Sequence, residues 1–172
     1  MKHKNILEAK IKLNSCNSCP GICCYNPPVL SSEEEIKTAQ KYNAKLIAIQ
    51  TFPKHYLVAV TKNEQDKCPF LDKDGKCSIY EERFETCRNY SCQLLKEEKS
   101  AISLFDDLSW LNNKSAATHP VFFSKEILEN YNIPIENDYH KAMNQIYGLN
   151  ISTFIGLLGM LIDNAKASGE FK

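Results

Sequence analysis

Between Leu30 and Thr61 the apolar positions change period twice. Ser31-Ser32-Glu33-Glu34 opens a stretch with acids in its first turn, and Ser31 with Glu34 three residues on has capping-box spacing. The pattern predicts a helix from there to about Asn43. Two β-rich runs follow, Leu46 to Phe52 and Tyr56 to Thr61, with Pro53-Lys54-His55 between them as the turn of a hairpin. Asp72-Lys73-Asp74-Gly75 has the residues of a tight turn and lacks the spacing and terminal Glu of an EF-hand. Ile79 to Lys99 has a helical pattern, interrupted around Cys87 to Cys92.

Beyond Ser100 every periodic stretch is helical. Leu104, Leu108 and Leu111 make one stripe, with Phe105 and Trp110 alongside. Ser124 can cap a short helix through Tyr131, stopped by Asn132-Ile133-Pro134. Tyr139, Ala142, Met143, Ile146 and Tyr147 form another stripe, ending at Gly148. Phe154, Leu157, Leu158, Leu161, Ile162 and Ala165 repeat it. The expected fold is mainly α with a small β-hairpin, a single compact domain organised around a cysteine-ligated metal site. Residues 1–100 would form the metal-binding half and residues 101–172 a helical half packed against it.

At 172 residues the length suits one domain, and 43% hydrophobic with 24% charged residues is ordinary globular composition. Basic and acidic residues number 21 each, so nothing in the charge favours nucleic acid or an anionic membrane. Lys2, Lys4 and Lys10 are not followed by the apolar core of a secretory signal, and no window approaches the ~20 apolar residues of a membrane span. The expected location is cytoplasmic, where disulfides are rare and clustered thiols serve metal or redox chemistry.

The eight cysteines are the abnormal count, and none follows Cys92. Cys16, Cys19, Cys23 and Cys24 fall within nine residues; Cys68, Cys77, Cys87 and Cys92 fall within 25. A C-x2-C pair lets one turn present two sulfurs to a single ion, and Pro20-Gly21 supplies the reversal that brings Cys23 or Cys24 back beside it. Four disulfides would also use an even number, but a chain of this length without an export signal has little need of them. The vicinal Cys23-Cys24 pair strains a single tetrahedral site, and the second knot is widely spread. A composite site, or two adjacent ones, drawing ligands from both knots answers both difficulties. Both arginines of the chain, Arg83 and Arg88, lie in the second knot, where guanidinium groups can offset the charge of metal thiolates. His3, His55, His119 and His140 have no metal-ligand spacing with any cysteine. There is no Walker loop, G-x-G-x-x-G, nucleophile-elbow serine or H-E-x-x-H.

The C-x2-C…C-C knot, followed by Cys68-Pro69-Phe70-Leu71, a glycine-containing turn, Cys77-Ser78-Ile79-Tyr80, Arg83 and Cys87-Arg88-Asn89-Tyr90-Ser91-Cys92, resembles the YkgJ-type cysteine-cluster family, a zinc- or iron-chelating domain. The cysteine region is also similar to that of flagellin lysine N-methylases, where it is linked to an iron–sulfur cluster. The resemblance covers roughly residues 14 to 95 and takes in all eight cysteines. It departs from the pattern at the three-residue gap between Cys19 and Cys23, at Phe84 and at Ser91. It implies zinc or an iron–sulfur cluster as cofactor, and soft thiolates suit either.

Three functions stay open at this point. One is a cluster-dependent enzyme that modifies a protein or peptide, such as a methyltransferase. Another is a non-catalytic, zinc-stabilised module that binds a protein or peptide partner. The third is a metal carrier or sensor. Removing a structural metal is expected to melt residues 14 to 95 and leave some helix in the C-terminal half, whereas a carrier would give up its metal to a chelator without unfolding.

Overall fold

The computed structural model describes residues 10–11, 19–90, 99–100 and 121–146, with positions 160, 163 and 167. Strand β1 (Lys10–Ile11) is followed by helix α1 (Glu33–Lys41), strands β2 (Leu46–Phe52) and β3 (His55–Val60), and helix α2 (Glu85–Asn89). Then come strand β4 (Lys99–Ser100), helix α3 (Lys125–Asn130) and helix α4 (Tyr139–Ile146).

Helix α1 starts one residue later than the sequence pattern suggests. Ser32, not Ser31, is the N-cap, and its hydroxyl accepts from the Glu35 amide at 3.2 Å. The capping-box acid is therefore Glu35, whose carboxylate accepts from the Ser31 amide at 2.7 Å. The helix ends where expected. Asn43 turns left-handed at φ 56, the Asn43 amide donates to Gln40 O, and the Ala44 amide donates to Ala39 O. That pair of bonds is a Schellman closure, which satisfies carbonyls the helix end would otherwise strand. Helix α3 repeats the design. Ser124 caps its start, Asn132 sits at φ 53, and Ile133 N donates to Leu128 O at 2.8 Å.

Strands β2 and β3 pair antiparallel from Leu46↔Val60 to Phe52↔His55, with an irregularity between Gln50 and Phe52. The run Leu46-Ile47-Ala48-Ile49 is buried at every position rather than at alternate ones. Both faces of the hairpin are covered, so both registers of side chains are apolar. On one face, Leu46, Ala48, Tyr56, Val58 and Val60 pack with α1, with Leu128 and Ile133, and with Cys68, Phe70 and Phe84. On the other, Ile47, Ile49 and Ala59 meet Ala142 and Ile146 of α4. The larger cluster draws on both sides of residue 100.

Single bridges extend the hairpin on both flanks: Val29 and Phe123 beside β3, and Ile135 beside β2. Leu30 N donates to Val58 O, and Val60 N to Pro28 O, so the chain leaving the first cysteine knot runs directly onto the hairpin.

Among the described residues the helices run 9, 5, 6 and 8 residues beside the two-stranded antiparallel hairpin, so helix content there is modest. The main loss is between Ile79 and Phe84. There Tyr80–Glu82 is a 3-10 turn, and Arg83 and Phe84 are extended. Extension lets the Phe84 ring enter the core, where it is 2% exposed. Tyr139, expected on the apolar stripe of α4, is exposed, while Ala142 and Ile146 are buried. The Leu104–Leu111 stripe and the apolar residues of the last predicted helix lie outside the described residues. Positions 160, 163 and 167 are helical. No helix among the described residues is long and apolar enough to cross a membrane.

Candidate metal centre

Within the first knot, Cys23 and Cys24 follow a left-handed glycine. Gly21 (φ 76) precedes a 3-10 turn, Ile22–Tyr25, closed by Cys24 N donating to Gly21 O at 2.8 Å and Asn26 N to Cys23 O at 3.3 Å. Ile22 anchors this turn in the interior at 1% exposure, and Cys19, Cys23 and Cys24 are half-buried. Successive side chains on a 3-10 turn point about 120° apart, which physically separates the vicinal thiols.

The second knot is stapled to the first through backbone. Cys68, buried in the core, donates its amide to Cys24 O at 2.8 Å. Leu71 N in turn donates to Cys68 O, and Leu71 bridges Cys77 across the predicted turn. That turn is held by one side chain: Asp72 Oδ1 accepts from the amides of Asp74 at 2.9 Å and Lys76 at 2.8 Å. No cation is needed to explain its acids. Ser78 N donates to Phe70 O at 2.8 Å, and the Phe70 ring meets the Phe84 ring at 5.5 Å.

The two turns also interpenetrate. Gly75 (φ 77) lies so close to Pro20 that a Cβ built on it would sit 3.0 Å from the Cα, C and O of Pro20. A Cβ on Gly21 would sit 2.6 Å from Leu71 Cδ1 and 3.1 Å from Gly75 O.

Cys87 arrives on α2, whose position is set by residues the sequence pattern did not single out. Thr86, 1% exposed, donates its hydroxyl to Val29 O at 2.8 Å. The Glu85 amide donates to Glu35 Oε1, and the Ser31 hydroxyl lies 2.9 Å and 2.8 Å from the Glu35 and Glu85 carboxylates. Glu35 thus joins the start of α1 to the start of α2. The capping-box pattern, moved one residue along, would have found it; nothing in the sequence marks Thr86. Replacing Glu35 with Ala would leave two part-buried amides without their acceptor and should cost about 1–3 kcal/mol. A fall in the urea midpoint at unchanged m-value would register this loss.

Electrostatics around the segment is mixed. The Arg83 guanidinium lies over the Tyr80 ring at 3.9 Å, and Arg88 Nη1 donates to Arg83 O at 2.6 Å. Arg83 sits between Cys77 and Cys87, and Arg88 directly follows Cys87. The Lys41 ammonium, and after it the Tyr42 hydroxyl, hold the Glu82 carboxyl below its usual range. Burial pushes the Tyr25 hydroxyl, beside Cys24, up from its ordinary value.

Of the six described cysteines, Cys19, Cys23 and Cys24 lie on a segment bonded directly to that of Cys68 and Cys77, and Cys87 lies on α2, which is bonded to Val29 and Glu35. Cys16 and Cys92 lie outside the described residues, as do His3 and His119. His55 Nδ1 is 2.9 Å from Pro53 O, at the hairpin turn. Among the described residues, no three His, Cys, Asp or Glu side chains form a group that could hold a metal ion. The donors fit zinc or iron by their softness, and the described ones do not complete a site by themselves.

A family model described as CxxCxxCC, putative zinc- or iron-chelating domain, matches residues 15–112. No curated protein and no solved structure matches the chain.

Proposed function

Because the chain belongs to the CxxCxxCC family of zinc- or iron-chelating domains, we propose that it binds zinc or iron through thiolates drawn from both cysteine knots. The observation that carries this reading is the junction of the knots: Cys68 N donating to Cys24 O, with Gly21 and Gly75 interleaved beside it. Two independent metal sites would have no need of such a junction. A shared site needs its halves held in fixed register, since metal–ligand distances tolerate only about 0.2 Å.

The proposed ligand set is Cys16, Cys19, Cys23, Cys24, Cys68, Cys77, Cys87 and Cys92, with Arg83 and Arg88 supplying positive charge nearby. Eight thiols are enough for two four-coordinate ions. When bound, the metal would stabilise the cysteines as thiolates; the chain's part is to place them and keep water from Cys68. We assign it no catalytic step.

Purification without oxygen, followed by metal analysis and an absorption spectrum, tests the reading. The expected result is zinc or iron in stoichiometric amount, retained through gel filtration. A colourless zinc form without acid-labile sulfide would select zinc over a cluster. A reduced chain that retains neither metal after incubation with each would sink the proposal.

A further inference from the structure

The geometry points to Gly21 and Gly75 as positioning residues of the metal centre: a reciprocal lock that sets Cys19, Cys23 and Cys24 against Cys68 and Cys77. This inference rests on the chelation reading for its purpose, though not for its geometry.

Both glycines are left-handed, at φ 76 and 77, but that alone does not call for glycine here. The chain places Asn43, Lys54, Asp66 and Asn132 at φ between 53 and 63, so it builds left-handed positions from other residues when nothing approaches closely. What distinguishes positions 21 and 75 is the neighbour. A Cβ at 75 would meet three backbone atoms of Pro20 at 3.0 Å, closer than ordinary van der Waals contact. A Cβ at 21 would meet Gly75 O at 3.1 Å and Leu71 Cδ1 at 2.6 Å. Each glycine leaves room for the other's turn.

Neither turn can readily yield. Pro20 is stiff because its ring fixes φ. The 72–76 turn is clamped by Asp72 Oδ1 on the amides of Asp74 and Lys76. A side chain at 75 would therefore push Pro20 away as a unit, and Cys19 is its direct neighbour. The 3-10 turn beginning at Ile22 would follow, lengthening the Cys24 O to Cys68 N bond of 2.8 Å. A displacement of half an ångström is small for a hydrophobic contact and large for a thiolate–metal bond.

The test compares Gly75→Ala with Gly75→Asn in the full chain. Asn adopts the left-handed conformation far more readily than Ala but carries the same Cβ. Zinc affinity is read by competition with a chromophoric chelator, and amide exchange at Cys68 is read at saturating zinc. Both variants are expected to lose about tenfold or more in zinc affinity, and both to lose protection at Cys68, while β2 and β3 stay protected. Recovery of affinity in Gly75→Asn would show that only backbone conformation matters, and would overturn the lock. Unchanged affinity in both variants would overturn it as well. So would loss of protection throughout the hairpin, because the glycine would then serve the whole core. An unaltered chain that binds no zinc or iron would refute chelation instead, and exchange at Cys68 would still decide the lock.

Discussion

Stripping the metal should free the amides of residues 19–25 and 68–90 while those of β2 and β3 remain protected. The first part follows from charge and energy. Structural zinc supplies about 10–16 kcal/mol of apparent binding free energy, as much as the roughly 5–15 kcal/mol stability of a whole domain. The thiols must lose their protons to bind, so the charged cluster exists only with the metal in place. The second part follows from where the apolar groups lie. The larger cluster includes Ile36, Ala39, Val58, Leu128 and Ile133, and α4 covers the opposite face through Ala142 and Ile146. Cys68 belongs to the same larger cluster, but most of its members are hydrocarbon side chains outside the cysteine turns. The sequence alone suggests that residues 14 to 95 melt together; the core instead divides that stretch, because the hairpin and α1 are packed from both sides. Native-state hydrogen exchange on the metal-free chain measures the boundary. Protection at Cys24 and Cys68 equal to that of the metal-loaded chain would mean that the metal is an accessory to the fold.

Cys19→Ser and Cys68→Ser should each weaken metal binding by more than about 100-fold, since even residues outside the ligand shell cost 10–100-fold when lost. In a composite site the two losses have the same stoichiometric result, although the residues are 49 positions apart. Metal content after gel filtration is the readout. If Cys19→Ser keeps every ion that Cys68, Cys77, Cys87 and Cys92 could hold, the knots work separately. Cys24→Ser is the informative third variant. Its backbone carbonyl serves Cys68 whatever its side chain, so a harmless substitution there would mark the thiol as spare and leave the junction intact.

Much of the architecture is written in local signals, and those are the parts the sequence discloses. Ser124 and Asn132 bracket α3, and Pro53-Lys54 turns the hairpin between two β-branched runs, because caps and turns are settled within a few residues. The 72–75 turn is legible for the same reason. The segment around Phe84 is not. Its periodicity reads as helix, yet the ring is drawn into the larger core cluster against Phe70, and no neighbouring residue announces that destination. The candidate site divides in the same way. Its cysteines stand out by spacing. The contacts that assemble them, Thr86 on Val29 and Gly75 on Pro20, span 57 and 55 residues, and a pattern of local periodicities carries no record of such pairings.

The bridges flanking the hairpin have a consequence for self-association. A two-stranded ribbon apolar on both faces would, with bare edges, be a template for strands from other copies, the usual route to aggregation. Val29 and Phe123 occupy the outer side of β3, and Ile135 that of β2. The Val29 guard lies only five residues beyond Cys24 in the chain. Whatever secures the first knot also keeps one edge of the hairpin shut.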